Sequence, residues 1–204
     1  MAFTFFFRDK QTLEKAVIET IKTMCGREKI KIWDAGCAMG PEPYTLAIMF
    51  AEKMGVFAFK RVHIDATDLD QESEDFGNII NNGVYRINQL KRIPKELFEK
   101  YFRKNNHSDS NYVVEKIISD RVHFKKHDLR LLNPINNGYS LIVCKNVLLH
   151  LTNEQRIQVI KMYYDVLLPG GIYAMEQTQK MPKEVEHLFE RISTGDKLFK
   201  KKLI

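Results

Sequence analysis

The chain has 204 residues, of which 44% are hydrophobic and 28% charged, and its formal net charge at pH 7 is +6. This composition is that of an ordinary globular protein and excludes an intrinsically disordered chain. The length suits one domain with a full core, or one domain that carries a small insertion. A charge of +6 is mild for this length; it is compatible with an acidic partner, although it is more often a matter of solubility.

The cysteines and the hydrophobic pattern of the sequence predict the cellular compartment of the protein. Cys25, Cys37 and Cys144 form no CxxC pair, which favours a reducing environment. No apolar run approaches the ~18 residues that a membrane span requires, so membrane insertion is not expected. The apolar start of the chain lacks the basic segment of a signal peptide. We therefore expect a cytoplasmic protein.

Hydrophobic spacing and the positions of Gly and Pro predict alternating helices and strands in the first half of the chain. The predicted elements are a helix ended by Gly26, a strand at Ile30–Ala35, a helix that begins near Pro41 and ends at Gly55, a strand at Arg61–Asp68 and a weak helix over residues 72–82.

Residues 84–120 interrupt this rhythm with a short helix predicted over Lys95–Lys104, a polar turn and an alternating run at Tyr112–Ile118. The alternation then resumes. The later predicted elements are strands at Arg121–His127 and Ser140–Lys145, a helix that opens at Thr152 with Gln155 placed for a capping box and ends at Leu168–Gly171, a strand at Ile172–Gln177 and a final hairpin around Gly195 and Asp196.

Five β segments separated by helices, with an antiparallel finish, predict a doubly wound, mostly parallel α/β sheet. Ligands of such sheets bind at the carboxyl ends of the strands. Four predicted strands end in polar residues: Asp34 to Gly40 after the first, Asp68 and Asp70 after the second, Asp128 after the third, and Lys145 with Asn146 after the fourth. Because these ends share one edge of the sheet, we predict that the four groups form one site.

The loop Asp34–Gly40 favours a ligand without phosphate. It has no Gly-Lys-Ser/Thr, and Gly36-x-Ala38-x-Gly40 lacks the spacing of a dinucleotide fingerprint. Glu42, at the start of the next helix, would repel phosphate and attract a cation. An acid after the second strand can accept from ribose hydroxyls, and one after the third from an adenine amino group. The pattern predicts S-adenosylmethionine, which carries an ammonium and a sulfonium and no phosphate.

The stretch Trp33–Thr45 resembles the motif of the chemoreceptor glutamate methyltransferases, the CheR family of class I S-adenosylmethionine-dependent methyltransferases. The other matching stretches are Thr4-x-Phe-Phe-Arg8, Thr67–Asp70, Gly83–Arg86 with Leu90 and the run at Lys100, Val143–Val147, and Leu167–Gly171. The resemblance extends from residue 3 to about 175. It implies a single methyltransferase domain of Rossmann-like type over residues 1–204, with a small inserted β subdomain over residues 84–120.

The resemblance also implies a cofactor site. Its predicted members are Thr4 and Arg8 at the methionine part, Gly36 in the loop, Glu42 at the ammonium, Asp68 at the ribose, Asp128 and Leu129 at the adenine, and Lys145 and Asn146 at the methyl-bearing end. In this family the arginine of the Phe-Phe-Arg start also steers the substrate carboxylate.

The implied activity is methylation of glutamate side chains of chemoreceptors, whose cytoplasmic domain is then the expected partner. A glutamate carboxylate is ionised at neutral pH and needs no general base, which agrees with the lack of an evident Ser/His/Asp set. No proline-rich loop follows the fourth strand and no Pro-Cys pair is present, so amino-group and cytosine methylation are not expected. Nucleic acid is therefore not an expected partner. His123 and His127 lack a third ligand at a suitable spacing, so no metal is predicted.

Several departures from the family lie on the substrate side. His150 stands where the family usually has a substrate-facing tyrosine; since a histidine can donate to a carboxylate, we predict Arg8 and His150 as the catalytic residues. Pro41 replaces an acid, Glu176–Thr178 replaces the family's His-Ser-Glu, and the family's helical N-terminal domain is expected to be absent. Two alternatives therefore stay open: a relative with another protein or a small molecule as acceptor, and a non-catalytic S-adenosylmethionine-binding signalling module.

Overall fold

Strands and helices alternate along most of the chain in the computed structural model, which describes residues 4–69, 75–106, 108 and 110–203. The strands are β1 (Ile30–Ala35), β2 (Val62–Asp68), β3 (Val84–Arg86), β4 (Phe102–Lys104), β5 (Asn111–Val114), β6 (Val122–Lys126), β7 (Tyr139–Cys144), β8 (Leu167–Met175), β9 (Phe189–Arg191) and β10 (Leu198–Lys201). The helices are α1 (Lys10–Thr23), α2 (Pro41–Phe59), α3 (Phe76–Asn82), α4 (Lys95–Tyr101), α5 (Lys116–Ser119), α6 (Asn153–Val166) and α7 (Lys183–Glu186).

Seven strands form the main sheet in the order β6-β2-β1-β7-β8-β10-β9. The first five strands in this order pair in parallel, whereas β10 is antiparallel to both β8 and β9. The chain winds outward from β1 to β2 and β6 and then returns to the other side of β1 with β7. This confirms the predicted doubly wound sheet with an antiparallel C-terminal strand. The strand order reverses between β1 and β7, where sheets of this kind form a ligand crevice.

A second, three-stranded antiparallel sheet has the order β3-β5-β4, which confirms the predicted small β insertion. Tyr85, Tyr101, Phe102 and Val114 from this part of the chain are buried in the same hydrophobic cluster as residues of α1 and α2. The insertion is therefore packed on the main body through a shared core. That residues 84–120 make a subdomain of a single domain stays a prediction.

The two faces of the main sheet carry separate hydrophobic clusters. Helices α1 and α2 cover one face, and α6 covers the other. On the α6 side, the fully buried Trp33 packs its ring edge-to-face on Tyr163 at 5.3 Å, and its indole N–H donates to Thr67 Oγ1 at 2.9 Å. This bond joins β1 to β2 near the carboxyl ends of both strands. None of the helices in the described part of the chain combines the length and the apolar character needed to cross a membrane.

Two element boundaries predicted in the insertion are wrong. The helix predicted over Lys95–Lys104 ends at Tyr101, because Phe102 has an extended backbone (φ −133°) and begins β4, which pairs with β5. The alternating run Tyr112–Ile118 is strand only as far as Val114, and α5 follows. At Phe102 the pairing with β5 overrides the local helical pattern.

Two boundaries near glycines also differ from prediction. Gly55 interrupts α2 with a left-handed backbone (φ 75°), but another helical turn carries the element to Phe59. The strand predicted at Ile172–Gln177 begins already at Leu167. Residues 168–171 lie in a bulge opposite β7, where the missing N–H of a proline is tolerated.

Candidate functional site

A cavity of about 670 Å³ lies at the carboxyl ends of β1, β2, β6 and β7. This volume is within the range of about 300–1,000 Å³ that is usual for small-molecule sites. The lining includes every residue predicted to bind the cofactor or to act in catalysis: Thr4, Arg8, Gly36, Glu42, Asp68, Asp128, Leu129, Lys145, Asn146 and His150. Asp70, predicted at the same strand end as Asp68, lies outside the described residues. The structure thus brings the predicted residues together, while the role of each stays a prediction.

The N-terminal segment is anchored on the body so that Arg8 faces this cavity. Phe6 is fully buried and packs edge-to-face on Tyr85 with ring centroids 5.0 Å apart. The backbone N–H of Phe7 donates to Thr45 Oγ1 on α2 at 3.0 Å. Two consecutive aromatic residues therefore fix the position of the arginine that follows them.

The loop after β1 approaches the loop after β7 very closely at Gly36. Its φ is +109°, and a Cβ at this position would lie 2.0 Å from Val147 Cγ2. Ala38 also has a left-handed backbone (φ 46°), as does Asn146 in the facing loop (φ 60°). Such conformations are rare outside glycine and persist where the surroundings hold them. Backbone strain is thus concentrated at the cavity.

Asp68 and Asp128 both lie at the cavity but differ in their partners. Asp68 accepts from the backbone N–H groups of Ala38 (2.9 Å) and Leu69 (2.8 Å), which leaves lone pairs on both oxygens for hydroxyl donors. Both oxygens of Asp128 accept from the Arg130 guanidinium, at 2.9 Å from Nε and 2.6 Å from Nη2. This bidentate contact lowers the pKa of Asp128. The predicted adenine acceptor is therefore already engaged by a neighbouring side chain.

Lys145 is a buried cation that faces two acids. Its side chain is 1% exposed, and Nζ lies 2.5 Å from Asp9 Oδ2 and 3.5 Å from Glu42 Oε2. The pair with Asp9 ties the N-terminal segment to the end of β7. Burial raises the pKa of Glu42, and the nearby Lys145 opposes that rise. Lys145 thus places its charge beside the predicted ammonium acceptor.

The loop after β7 carries Asn146 and His150. The backbone N–H of Asn146 donates to Glu176 Oε2 at 3.2 Å, which links this loop to the end of β8. Burial raises the pKa of Glu176. His150 ends a 3₁₀ helix that begins at Leu148, and its side chain is exposed at the cavity. A second molecule can therefore reach it.

Three titratable residues at or beside the cavity were not predicted from the sequence as site members, namely Asp9, His127 and Arg130. Asp34 was predicted only as part of the polar group after the first strand, without a role of its own. Only Asp9 carried a signal, since it directly follows the Phe-Phe-Arg start. His127 packs edge-to-face on Trp33 at 5.6 Å, whereas His123 stacks on His63 at 4.4 Å. Within the described ranges, no group of three or more His, Cys, Asp or Glu side chains is arranged to hold a metal ion.

The chemistry of the donor set fits a cationic adenosine derivative. Three carboxylates line the cavity, from Glu42, Asp68 and Asp128. They can accept from an ammonium, from ribose hydroxyls and from an amino group. The doubly wound sheet and this set of acceptors at its crevice define an S-adenosylmethionine-binding α/β domain of the methyltransferase type.

Comparison with known proteins gives the family. Residues 2–197 match the family described as CheR methyltransferase, SAM binding domain, and the chain belongs to this family. A chemotaxis protein methyltransferase of Listeria innocua is 31% identical over 170 residues, which cover 82% of this chain and 61% of the relative. One from Borreliella burgdorferi is 33% identical over 164 residues, which cover 75% and 55%. The chain thus spans less than two thirds of the length of these relatives. The predicted family and the cofactor S-adenosylmethionine are confirmed.

Proposed function

We propose that this domain transfers the methyl group of S-adenosylmethionine to glutamate side-chain carboxylates in the cytoplasmic domains of chemoreceptors. The observation that carries the proposal is the lining of one cavity. It combines the carboxylates of Glu42, Asp68 and Asp128, which suit the cofactor, with Arg8 and His150, which suit an acceptor carboxylate. The names of the relatives support the chemotaxis context.

The proposed reaction requires the chain mainly to align the acceptor carboxylate with the methyl group of the cofactor. S-adenosylmethionine supplies, when bound, a methyl group on a positively charged sulfur. An acceptor glutamate is ionised at neutral pH, so no residue has to remove a proton from it. Arg8 and His150 would orient the acceptor oxygen, and the anchored N-terminal segment would restrict access of water. Alignment of two reactants in this way can supply several kcal/mol of barrier lowering.

A methylation assay with receptor fragments tests the proposal. The wild-type chain is incubated with methyl-labelled S-adenosylmethionine and a receptor cytoplasmic fragment. Label that is released by mild base identifies a carboxyl methyl ester. The same fragment with its candidate glutamates replaced by glutamine is the matched control, since an amide cannot form the ester. Base-labile label on the first fragment alone is the expected result.

A different acceptor is the second candidate, because His150 is exposed at the cavity where the family usually has a tyrosine. Label that appears on another protein or a small molecule, but never on the receptor fragment, would favour it. Cofactor binding without label on any acceptor would instead indicate a non-catalytic binding module.

A further inference from the structure

Asp34, at the end of β1, is a buried acid behind the cavity. Its side chain is fully buried, and neither carboxyl oxygen has a hydrogen-bond partner in the described part of the chain when the group is a carboxylate. A buried charge without partners costs several kcal/mol. The ionisable groups that face it are Glu42 on α2, Lys145 after β7, Asp68 after β2, and Cys37, Cys144 and Tyr163.

The contact with Glu42 shows how this cost is avoided. The carboxyl groups of Asp34 and Glu42 are within hydrogen-bond reach of each other, and two carboxyl groups can bond only if one of them carries a proton. Lys145 does not supply the missing donor, because its ion pairs go to Asp9 and Glu42. Burial and the neighbouring Glu42 raise the pKa of Asp34 well above its usual range. The proton therefore belongs on Asp34.

We propose that Asp34 is a positioning residue of the ammonium pocket: as a neutral carboxylic acid it donates a hydrogen bond to Glu42 and orients the ionised carboxylate that faces the cavity. The inference rests on the proposed function only in taking the ammonium of S-adenosylmethionine as the ligand of Glu42.

The charges around Lys145 agree with this assignment. With Asp34 neutral, Lys145 faces the two carboxylates of Glu42 and Asp9 and no third charge. An ionised Asp34 would add a negative charge that is fully buried and has no hydrogen-bond partner in the described part of the chain.

Two ligands and two substitutions test the inference by calorimetry. S-adenosylhomocysteine carries the amino-acid end, whereas 5′-methylthioadenosine has the same nucleoside thioether without it. We expect Asp34→Ala to weaken S-adenosylhomocysteine binding at least tenfold, because a hydrogen bond to a charged group is lost, and to change methylthioadenosine binding less than threefold. Asp34→Asn supplies an amide donor of similar shape and should restore most of the lost affinity.

Asp65→Ala is the matched control, since Asp65 is a buried strand acid bonded to Tyr139 (2.8 Å) and away from the cavity lining. It should leave both affinities as in the wild type. Equal weakening of both ligands by Asp34→Ala would overturn the inference in favour of a general structural role. An Asn variant as weak as the Ala variant would overturn it in favour of a charged Asp34.

The pH dependence of unfolding provides a readout that needs no ligand. Because the folded-state pKa of Asp34 is raised, its contribution to stability is full below the unfolded pKa of about 4 and is lost as the pH rises toward the folded value. The stability of Asp34→Asn relative to wild type should therefore increase from pH 4 to pH 7. A constant difference would contradict a neutral Asp34.

Failure of this inference and failure of the proposed function are distinguishable. The expected binding and pH results in a chain that methylates no acceptor would support the inference and overturn only the proposed activity. A wild-type chain that binds neither nucleoside would overturn the inference together with the placement of the cofactor.

Discussion

The backbone N–H of Ala38 donates to Oδ2 of Asp68 at 2.9 Å, which joins the loop after β1 to the end of β2. Together with the N–H of Leu69 it fixes the carboxylate in one orientation. An acceptor that is held in place loses little conformational entropy when a ligand binds. The loop after β1, which also lines the cavity, therefore preorganises Asp68 for ligand binding.

Replacing Asp68 by alanine is expected to lower the affinity for S-adenosylhomocysteine at least tenfold, because the proposed acceptor for the ribose hydroxyls is lost. The fold should persist, since Asp68 is on the rim of the sheet. Titration calorimetry measures the affinity and thermal unfolding monitors the fold. Asp120→Ala, which removes an exposed acid paired with Lys116, controls for the change in net charge. Equal affinity of wild type and Asp68→Ala would refute the site map.

Replacing Gly36 by alanine is expected to reduce the free energy of unfolding by about 2–5 kcal/mol. A left-handed alanine costs about 1–2 kcal/mol, and overpacking against Val147 adds about 1–3 kcal/mol. Urea unfolding measures the change. Gly26→Ala is the matched control, because Gly26 also has a positive φ (81°) but no atom lies within 4 Å of the point that an added Cβ would occupy. This substitution should cost only the free energy of placing an alanine in a left-handed conformation.

A double substitution separates the two contributions at Gly36. Adding Val147→Ala removes the methyl group that a Cβ would meet at 2.0 Å, so Gly36→Ala should cost less in that background than in the wild type. Costs that are the same in both backgrounds, or the same for Gly26 and Gly36, would mean that the close approach of the two loops is not present in solution.

Replacing Asp196 by asparagine is expected to reduce stability by about 1–3 kcal/mol at pH 7. Its carboxylate accepts from Lys15 Nζ at 2.5 Å, Thr12 Oγ1 at 2.6 Å and Ser193 Oγ at 3.1 Å, and so holds the β9–β10 turn on α1. These contacts, with Lys15 foremost, lower the pKa of Asp196. Because its folded-state pKa is lowered, Asp196 contributes to the free energy of unfolding above its unfolded pKa of about 4. This contribution is lost as the pH falls through the folded-state pKa.

The difference in stability between wild type and Asp196→Asn should therefore shrink as the pH falls below about 4. Asp120→Asn removes an exposed i,i+4 pair with Lys116 and should cost less than about 0.5 kcal/mol. An Asp196 effect that is as small as this control, or that does not depend on pH, would show that the turn is not held by an ionised carboxylate.

Replacing His150 by phenylalanine is expected to reduce kcat/KM for the proposed receptor substrate at least tenfold, because the proposed donor to the acceptor carboxylate is lost. The Kd for S-adenosylhomocysteine should stay within twofold of the wild type. Steady-state kinetics and calorimetry together provide this comparison. His150→Tyr keeps a donor and should retain most of the activity. Full activity of the phenylalanine variant would show that His150 does not contact the acceptor.

The grouping of the site residues could be predicted because it follows from topology. Asp68, Asp128 and Lys145 lie at or just beyond the ends of strands that run in parallel. Topology alone therefore places them at the same edge of the sheet. The start of α6 could also be predicted from the sequence, since Thr152 and Gln155 form the expected capping box there.

The partners inside the site could not be predicted, because they depend on long-range packing. The ion pair between Asp9 and Lys145 joins residues 136 positions apart, and Asp34 looks like any other strand-end acid until its burial is known. Pairing of Phe102 with Val114 likewise converts the end of a helical pattern into β4. Local sequence does not identify the two partners of such a contact.

The placement of the cofactor is best examined in a crystal structure of the chain with S-adenosylhomocysteine. We expect the ligand in the cavity at the ends of β1, β2, β6 and β7, with its amino group at hydrogen-bond distance from Glu42 and its ribose hydroxyls on Asp68. A ligand bound elsewhere, or bound in this cavity with neither carboxylate in contact with it, would refute this placement.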